Sequence, residues 1–151
     1  MVLAVALAAA CSSSSSQQQQ PGQKLELVDA PATQGDVAPL IAKEVARAEH
    51  DGRKLVVYVG AAWCEPCRDF HAAAEAGRLD AKFGDLRMLV FDEDRDGPQL
   101  VSAGYEYRMI PMFAVPKPDG TATGRHIEGS VKGADAAQEI SPRLAALVAG
   151  S

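Results

Sequence analysis

The chain has 151 residues, of which 47% are hydrophobic and 23% are charged, and its formal net charge at pH 7 is −5. This length is enough for one domain with its own core and too short for two. The acidic balance, without a basic run, gives no reason to expect nucleic acid as a partner. No stretch approaches the roughly 20 consecutive apolar residues that a membrane-spanning helix needs.

The N-terminus combines an apolar run with a polar low-complexity stretch. The first ten residues are apolar, and Cys11, five serines and four glutamines follow. This pattern resembles a bacterial lipoprotein signal, in which the cysteine after the cleavage site carries the lipid, although Ala8 stands where that family usually has leucine. We expect a signal peptide at residues 1–10, lipidation of Cys11 and a flexible tether over residues 11–35. The alternative interpretation of this segment is an ordinary secretory signal or a frayed N-terminal tail.

Apolar periodicity predicts alternating strands and helices, with a domain over residues 36–151. In chain order the predicted elements are an edge strand at 23–29, a helix at 36–50, a buried strand at 55–59, a helix at 66–78, a buried strand at 86–91, a short helix at 98–105, a strand at 112–115, its hairpin partner at 121–127 and a helix at 134–149. The acidic run at residues 92–96 is interpreted as a solvated loop. Ser141-Pro142 indicates a kink or a restart of the last helix. Consecutive strand–helix units predict parallel strands, and the hairpin predicts an antiparallel edge.

The sequence Trp63-Cys64-Glu65-Pro66-Cys67 lies at the turn from the strand at 55–59 into the next helix. The first turn of a helix has free N–H groups and the positive end of the macrodipole, and both stabilise a thiolate. Cys67 follows one turn later, close enough to form a disulfide with Cys64. The pattern therefore predicts thiol–disulfide exchange, in which Cys64 attacks and Cys67 resolves the mixed disulfide.

Other interpretations of the cysteine pair need further ligands or a different role. A structural zinc site needs four ligands, and no second cysteine pair is present. An inert disulfide across a loop of two residues would constrain the unfolded chain little. His71 lies one turn past Cys67, so two thiolates and an imidazole suggest a copper chaperone as an alternative. A binding module without turnover also stays open.

The cysteine motif, together with Ile110-Pro111 roughly 45 residues later, resembles the thioredoxin family. The resemblance implies a thioredoxin fold, an α/β arrangement with a central mixed sheet of four or five strands flanked by helices. It also implies a cis bond before Pro111, an Ile110 backbone that binds the extended chain of a client, and Trp63 as a shield for the site. Gly129 resembles a family glycine that lets a partner approach. A plain strand-initiating proline is the alternative at Pro111.

Two positions near the cysteines set this chain apart within the family. Tyr58 stands where thioredoxins usually carry a buried aspartate that accepts the proton of the resolving thiol, and tyrosine is not an anion at neutral pH. Glu65, followed by Pro66, is similar to the membrane-tethered reductases of cytochrome maturation. We expect Glu65 to tune the thiol and help move its proton, or alternatively to be a solvated acid at the helix start.

These features together predict an exported reductase. A carboxylate beside the thiolate disfavours the anion, and this favours a reducing dithiol over an oxidising one. A reductant in an oxidising compartment needs an electron donor, and a lipid anchor at Cys11 would hold the domain near a membrane. We therefore expect protein thiol or disulfide clients, a membrane electron donor, no cofactor besides the redox-active disulfide, and a location at the periplasmic face of a bacterial membrane.

Overall fold

The computed structural model describes residues 22–133 and 135–150. The predicted signal peptide and Cys11 lie outside these residues. The elements, in chain order, are β1 (Glu26–Asp29), α1 (Ala38–His50), β2 (Lys54–Gly60), α2 (Glu65–Glu75), α3 (Asp80–Phe83), β3 (Leu86–Asp92), α4 (Glu93–Ser102), β4 (Met112–Pro116), β5 (Ala122–Glu128) and α5 (Ala136–Ala149). Within the described residues, no helix is long and apolar enough to cross a membrane.

One mixed sheet of five strands organises the domain, in the order β1-β3-β2-β4-β5. Strands β1, β3 and β2 are parallel, whereas β4 is antiparallel to β2 and to β5. The predicted α/β architecture, the parallel strands and the antiparallel hairpin at one edge are therefore confirmed. Because β2 and β3 lie inside the sheet and are covered on both faces, they are apolar along nearly their whole length.

Helices cover both faces of the sheet, and strand β2 contributes to both cores. Val57 and Val59 pack on one face with apolar residues of α1 and α4. Val56 and Tyr58 pack on the other face with apolar residues of α2, α3 and α5. Successive side chains of a strand point to opposite faces, so one buried strand anchors the two layers. The cysteine motif follows this strand directly and is held by the most buried part of the fold.

Strand β1 is fixed to the sheet by an ion-pair cluster. The buried guanidinium of Arg87 on β3 bonds Glu26 of β1 at 2.9 Å and Asp51 at 2.8 Å. Hydrogen bonds from His50 and then from Arg87 hold the pKa of Asp51 below its ordinary value. The edge strand expected at residues 23–29 is therefore confirmed. Strand β1 lies within the segment predicted as a tether over residues 11–35.

The acidic segment after β3 is the first turn of a helix, so its interpretation as a solvated loop is wrong. The carboxylate of Asp92 accepts the backbone N–H of Arg95 at 3.1 Å and caps α4. Asp96 is only 1% exposed and accepts both the backbone N–H of Asp92 and the guanidinium of Arg95. Carboxylates favour the N-terminal turn because its free N–H groups and macrodipole attract negative charge.

Two smaller differences concern short or interrupted helical segments. Helix α3 was not predicted, because four residues are too few to show a helical period. Helix α5 neither stops nor restarts at Ser141-Pro142; Pro142 lies inside one continuous helix. The hydroxyl of Ser141 donates to the carbonyl of Ala137 at 2.6 Å, a bond within the same helix.

Candidate active site

The two cysteines lie where the carboxyl end of β2 turns into α2. Cys64 is the N-cap of α2, with an extended backbone (φ −81°, ψ 106°), and its Sγ accepts the backbone N–H of Cys67 at 3.3 Å. The two residues form a disulfide, with their Cα atoms 5.2 Å apart. The predicted pairing is confirmed. The sulfur of Cys64 takes the position that a capping oxygen normally takes at a helix start, where free N–H groups favour negative charge.

Both cysteines are nearly buried in the oxidised protein. Cys64 is 5% exposed and Cys67 is 3% exposed, and they form a small cluster with Ala61, against which Ile110 packs. Ile110 comes from the loop before β4, far from the cysteines along the chain. The sheet brings this loop to the disulfide because β4 pairs with β2, the strand that leads into the motif.

The bond between Ile110 and Pro111 is cis, as the family resemblance implied. The carbonyl of Pro111 accepts the backbone N–H of Gly129 at 2.9 Å, so the loop before β4 and the end of β5 lie side by side. Gly129 has a φ of +67°, a conformation that side chains other than glycine rarely adopt. The roles of Ile110, Pro111 and Gly129 in binding a client stay predictions.

The only tryptophan of the chain forms part of the exposed surface beside the motif. Trp63 is 63% exposed, and its indole N–H donates to the carboxylate of Asp94 at 2.9 Å. Asp94 belongs to the first turn of α4 and was not recognised as a site residue, since the sequence offered only a run of acids. The predicted shielding role of Trp63 stays a prediction.

Tyr58 connects β2 to the second cysteine. Its hydroxyl donates to the backbone carbonyl of Cys67 at 3.0 Å, and its ring stacks on Phe113 with the ring centres 4.7 Å apart. Burial raises the pKa of Tyr58 above its ordinary value, so the phenol is protonated at neutral pH. Tyr58 therefore acts here as a hydrogen-bond donor that fixes the first turn of α2, and it does not supply the carboxylate found in thioredoxins.

Comparisons with known proteins bear on the fold. The chain matches no protein-family profile and no curated protein in sequence. Its structure is similar to that of thioredoxin from Trichomonas vaginalis, with a TM-score of 0.50 at 16% identity, over 85% of this chain and 99% of that one. The chain has the thioredoxin fold. A poplar thioredoxin h (TM-score 0.47, 20% identity, 84% and 95% covered) and a DsbH oxidoreductase (0.46, 14%, 88% and 92%) are further similar structures.

A cleft of about 420 Å³ lies beside Cys67, next to the C-terminal ends of β2 and β3. Arg68 and His71 line it, and the imidazole of His71 lies 3.3 Å from the carboxylate of Glu75. Over residues 22–133 and 135–150, no group of three or more His, Cys, Asp or Glu side chains is arranged to hold a metal ion. The copper alternative, which used His71 with both cysteines, therefore gains no geometric support.

The two residues between the cysteines occupy the first turn of α2. Glu65 is exposed and Pro66 is half-buried at the N-terminal positions of the helix. The missing N–H of Pro66 costs nothing there, because that position has no acceptor within the helix. The carboxylate of Glu65 is thus close to the cysteines along the chain but in contact with solvent, which limits its electrostatic effect. Its role in tuning the thiol stays a prediction.

Proposed function

We propose that this protein is a thiol–disulfide oxidoreductase that reduces disulfides of protein clients. The observation that carries the proposal is the Cys64–Cys67 disulfide at the start of α2, with the sulfur of Cys64 facing a backbone N–H and the cis-Pro111 loop packed beside it. A dithiol at this position is activated by the helix terminus, and the Ile110–Pro111 segment beside it is the part of the chain that we propose binds an extended client.

The reaction passes two electrons from the dithiol to the client. The Cys64 thiolate attacks one sulfur of the client disulfide, so that a Cys64–client bond forms, the client bond breaks and the released client sulfur takes a proton. The Cys67 thiolate then attacks the sulfur of Cys64 and forms the intramolecular disulfide. The second client sulfur leaves as a thiol. A donor dithiol reduces the protein again by the same exchange.

The reducing direction is supported by the charge of Glu65. A carboxylate one residue after Cys64 opposes a negative charge on that sulfur, so the reduced form gains less stabilisation than it would beside a cation. Glu65 is exposed, so this effect is modest. A reductant in an oxidising compartment requires a donor with a more negative reduction potential than its own, and we propose a membrane protein dithiol in this role.

Export and lipidation are further parts of the proposal and depend on the N-terminal sequence. The apolar run before Cys11 and the polar segment after it support a lipid-anchored protein at the periplasmic face of a bacterial membrane. An anchor at Cys11 would leave about ten polar residues before the domain, a separation of roughly 20 Å on average. Mass spectrometry of the protein extracted from membranes tests this directly: a diacylglycerol-linked Cys11 at the mature N-terminus supports it, and an intact unmodified N-terminus contradicts it.

The exchange reaction is tested with insulin as the client. The reduced protein should reduce insulin catalytically with dithiothreitol as donor, and Cys64→Ser should abolish this activity. Cys67→Ser should accumulate a covalent complex with the client, because the resolving thiol is absent. Cys11→Ser is the matched control, since it removes the remaining cysteine of the chain and leaves the Cys64–Cys67 motif unchanged in sequence. Turnover that survives Cys64→Ser, or a trapped complex that forms through Cys11, would contradict the proposal.

A further inference from the structure

The loop before cis-Pro111 is held by a carboxylate from the neighbouring strand. One oxygen of Glu128, at the end of β5, accepts the backbone N–H of Arg108 at 2.6 Å and that of Met109 at 3.2 Å. These two residues precede β4 and are exposed. A charged acceptor makes stronger hydrogen bonds than a neutral one, so a single side chain fixes two consecutive peptide groups of this loop.

Glu128 is itself held in place from helix α5. The guanidinium of Arg143 donates to the backbone carbonyl of Glu128 at 2.8 Å and to that of Gly129 at 2.9 Å. Arg143 is in turn bonded to Glu139 on the same helix at 2.9 Å. A chain of hydrogen bonds therefore runs from α5 through the end of β5 to the loop before Pro111.

The surroundings of the Glu128 carboxylate favour its charged form. The hydrogen bond from the N–H of Arg108 has the largest effect and lowers the pKa of Glu128; burial opposes it, and the bond from Met109 lowers the pKa further. His126 lies 4.0 Å from the same oxygen, and its side chain, like that of Glu128, is partly exposed. An ionised acceptor has lone pairs for both N–H groups at once, which a protonated carboxyl would offer less well.

This arrangement decides where two apolar side chains lie relative to the disulfide. Met109 is 56% exposed, and its terminal atoms lie about 3.2 to 3.4 Å from the position that a side chain on Gly129 would take. Ile110, the next residue, packs against the cysteine cluster. Glu128 bonds the peptide N–H of Met109 directly and so holds the segment that leads into Ile110. Movement of this loop would change the surface that meets a client without changing the cysteines themselves.

We propose that Glu128 is a positioning residue for client capture, which holds the Arg108–Met109 segment so that Met109 and Ile110 meet a client protein beside the Cys64–Cys67 disulfide. The inference rests on the proposed reductase function and deepens it, because it names the side chain that positions the client-binding segment without touching the reacting sulfurs. Arg143 supports the same segment from α5.

The test compares Glu128→Ala and Glu128→Gln with the unchanged protein in insulin reduction. For Glu128→Ala we expect the KM for insulin to rise about tenfold, which corresponds to about 1.4 kcal/mol, while kcat changes less than about twofold. Glu128→Gln keeps one acceptor oxygen and should give a smaller rise. Glu49→Gln removes an exposed carboxylate on α1 and is the matched control, expected to leave both constants unchanged.

Amide hydrogen exchange gives a readout that does not depend on turnover. The N–H groups of Arg108 and Met109 should exchange faster in Glu128→Ala and should be unaffected in Glu49→Gln. The inference would be overturned if, in Glu128→Ala, kcat fell by the same factor as KM rose, or if the KM for insulin did not change. If the wild-type protein does not reduce insulin, the proposed function is refuted, and the role of Glu128 in client capture is refuted with it. Insulin turnover with an unaltered KM in Glu128→Ala refutes the positioning role alone.

Discussion

Replacing Tyr58 with phenylalanine removes one hydroxyl from the point where β2 contacts the cysteine motif. The ring fills the same space, so the stacking with Phe113 and the edge contact with Phe70 are kept. The lost interaction is the 3.0 Å hydrogen bond to the backbone carbonyl of Cys67. This carbonyl lies in the first turn of α2 and keeps its bond within the helix, so it does not become an isolated buried acceptor.

The size of the effect follows from this partial compensation. A single intramolecular hydrogen bond contributes about 0.5 to 1.5 kcal/mol, and the full penalty for an unpaired buried group does not apply here. We expect Tyr58→Phe to lower the free energy of unfolding by about 1 kcal/mol, or the Tm by about 3 to 5 °C for a domain of this size. Because burial keeps the phenol protonated, its loss should leave the pH profile of insulin reduction unchanged.

Urea unfolding of the oxidised protein measures the first quantity, and initial rates of insulin reduction between pH 6 and 8 measure the second. Tyr105→Phe is the matched control, since its buried hydroxyl donates to the carbonyl of Gly120 at 2.8 Å, away from the motif. Tyr105→Phe should lose more stability than Tyr58→Phe, because the buried carbonyl of Gly120 lies outside the helices and strands and has no helical bond to keep. A loss of activity greater than about tenfold in Tyr58→Phe alone would refute the reasoning, because the phenol would then take part in the chemistry.

Three further predictions concern stability, pH and redox tuning. Gly120→Ala should lower the free energy of unfolding in urea by about 3 kcal/mol or more, because φ at this position is +82° and an added Cβ would overlap the first residue of α1. In the control Gly124→Ala the added Cβ would have no atom within 4 Å, so only the backbone strain remains and the loss should be about 1 to 2 kcal/mol. The pKa of Asp51 is lowered in the folded protein, so the ionised carboxylate stabilises the fold above the unfolded pKa of 3.8, and this stabilisation is lost as the pH falls through the lower folded pKa. Asp51→Asn should therefore lower the free energy of unfolding at pH 6 and lower it much less at pH 3. Glu65→Gln should make the reduction potential about 10 to 20 mV less negative in glutathione equilibration, and a shift in the opposite direction would contradict its tuning role.

Local sequence signals were sufficient for most of the fold. The two buried strands were predicted from runs of mostly apolar, β-forming residues, and no predicted bound differs from the structure by more than one residue. The cysteine pair was placed at a helix start because a strand precedes it and a proline follows Cys64 by two residues. These signals are short-range, so they do not depend on knowing which segments meet in space.

The parts of the site that depend on long-range contacts were not predictable from the residues alone. Asp94 lies in an acidic run with no visible partner, and its bond to Trp63 exists only because α4 begins beside the motif. Glu128 is the last residue of a strand of ordinary composition, and its two bonds cross to a loop about twenty residues away. The cis bond at Pro111 was expected only from the family resemblance, since an X–Pro bond is trans by default.

The reduction potential of the Cys64–Cys67 pair tests the central claim most directly. Equilibration of the full chain with glutathione or thioredoxin standards, followed by separation of the oxidised and reduced forms, gives this value. A reversible disulfide with a potential near or below about −250 mV is the result expected for a reductase. A value near −120 mV would make the protein an oxidant, and the absence of a reversible disulfide would contradict a redox function for the pair.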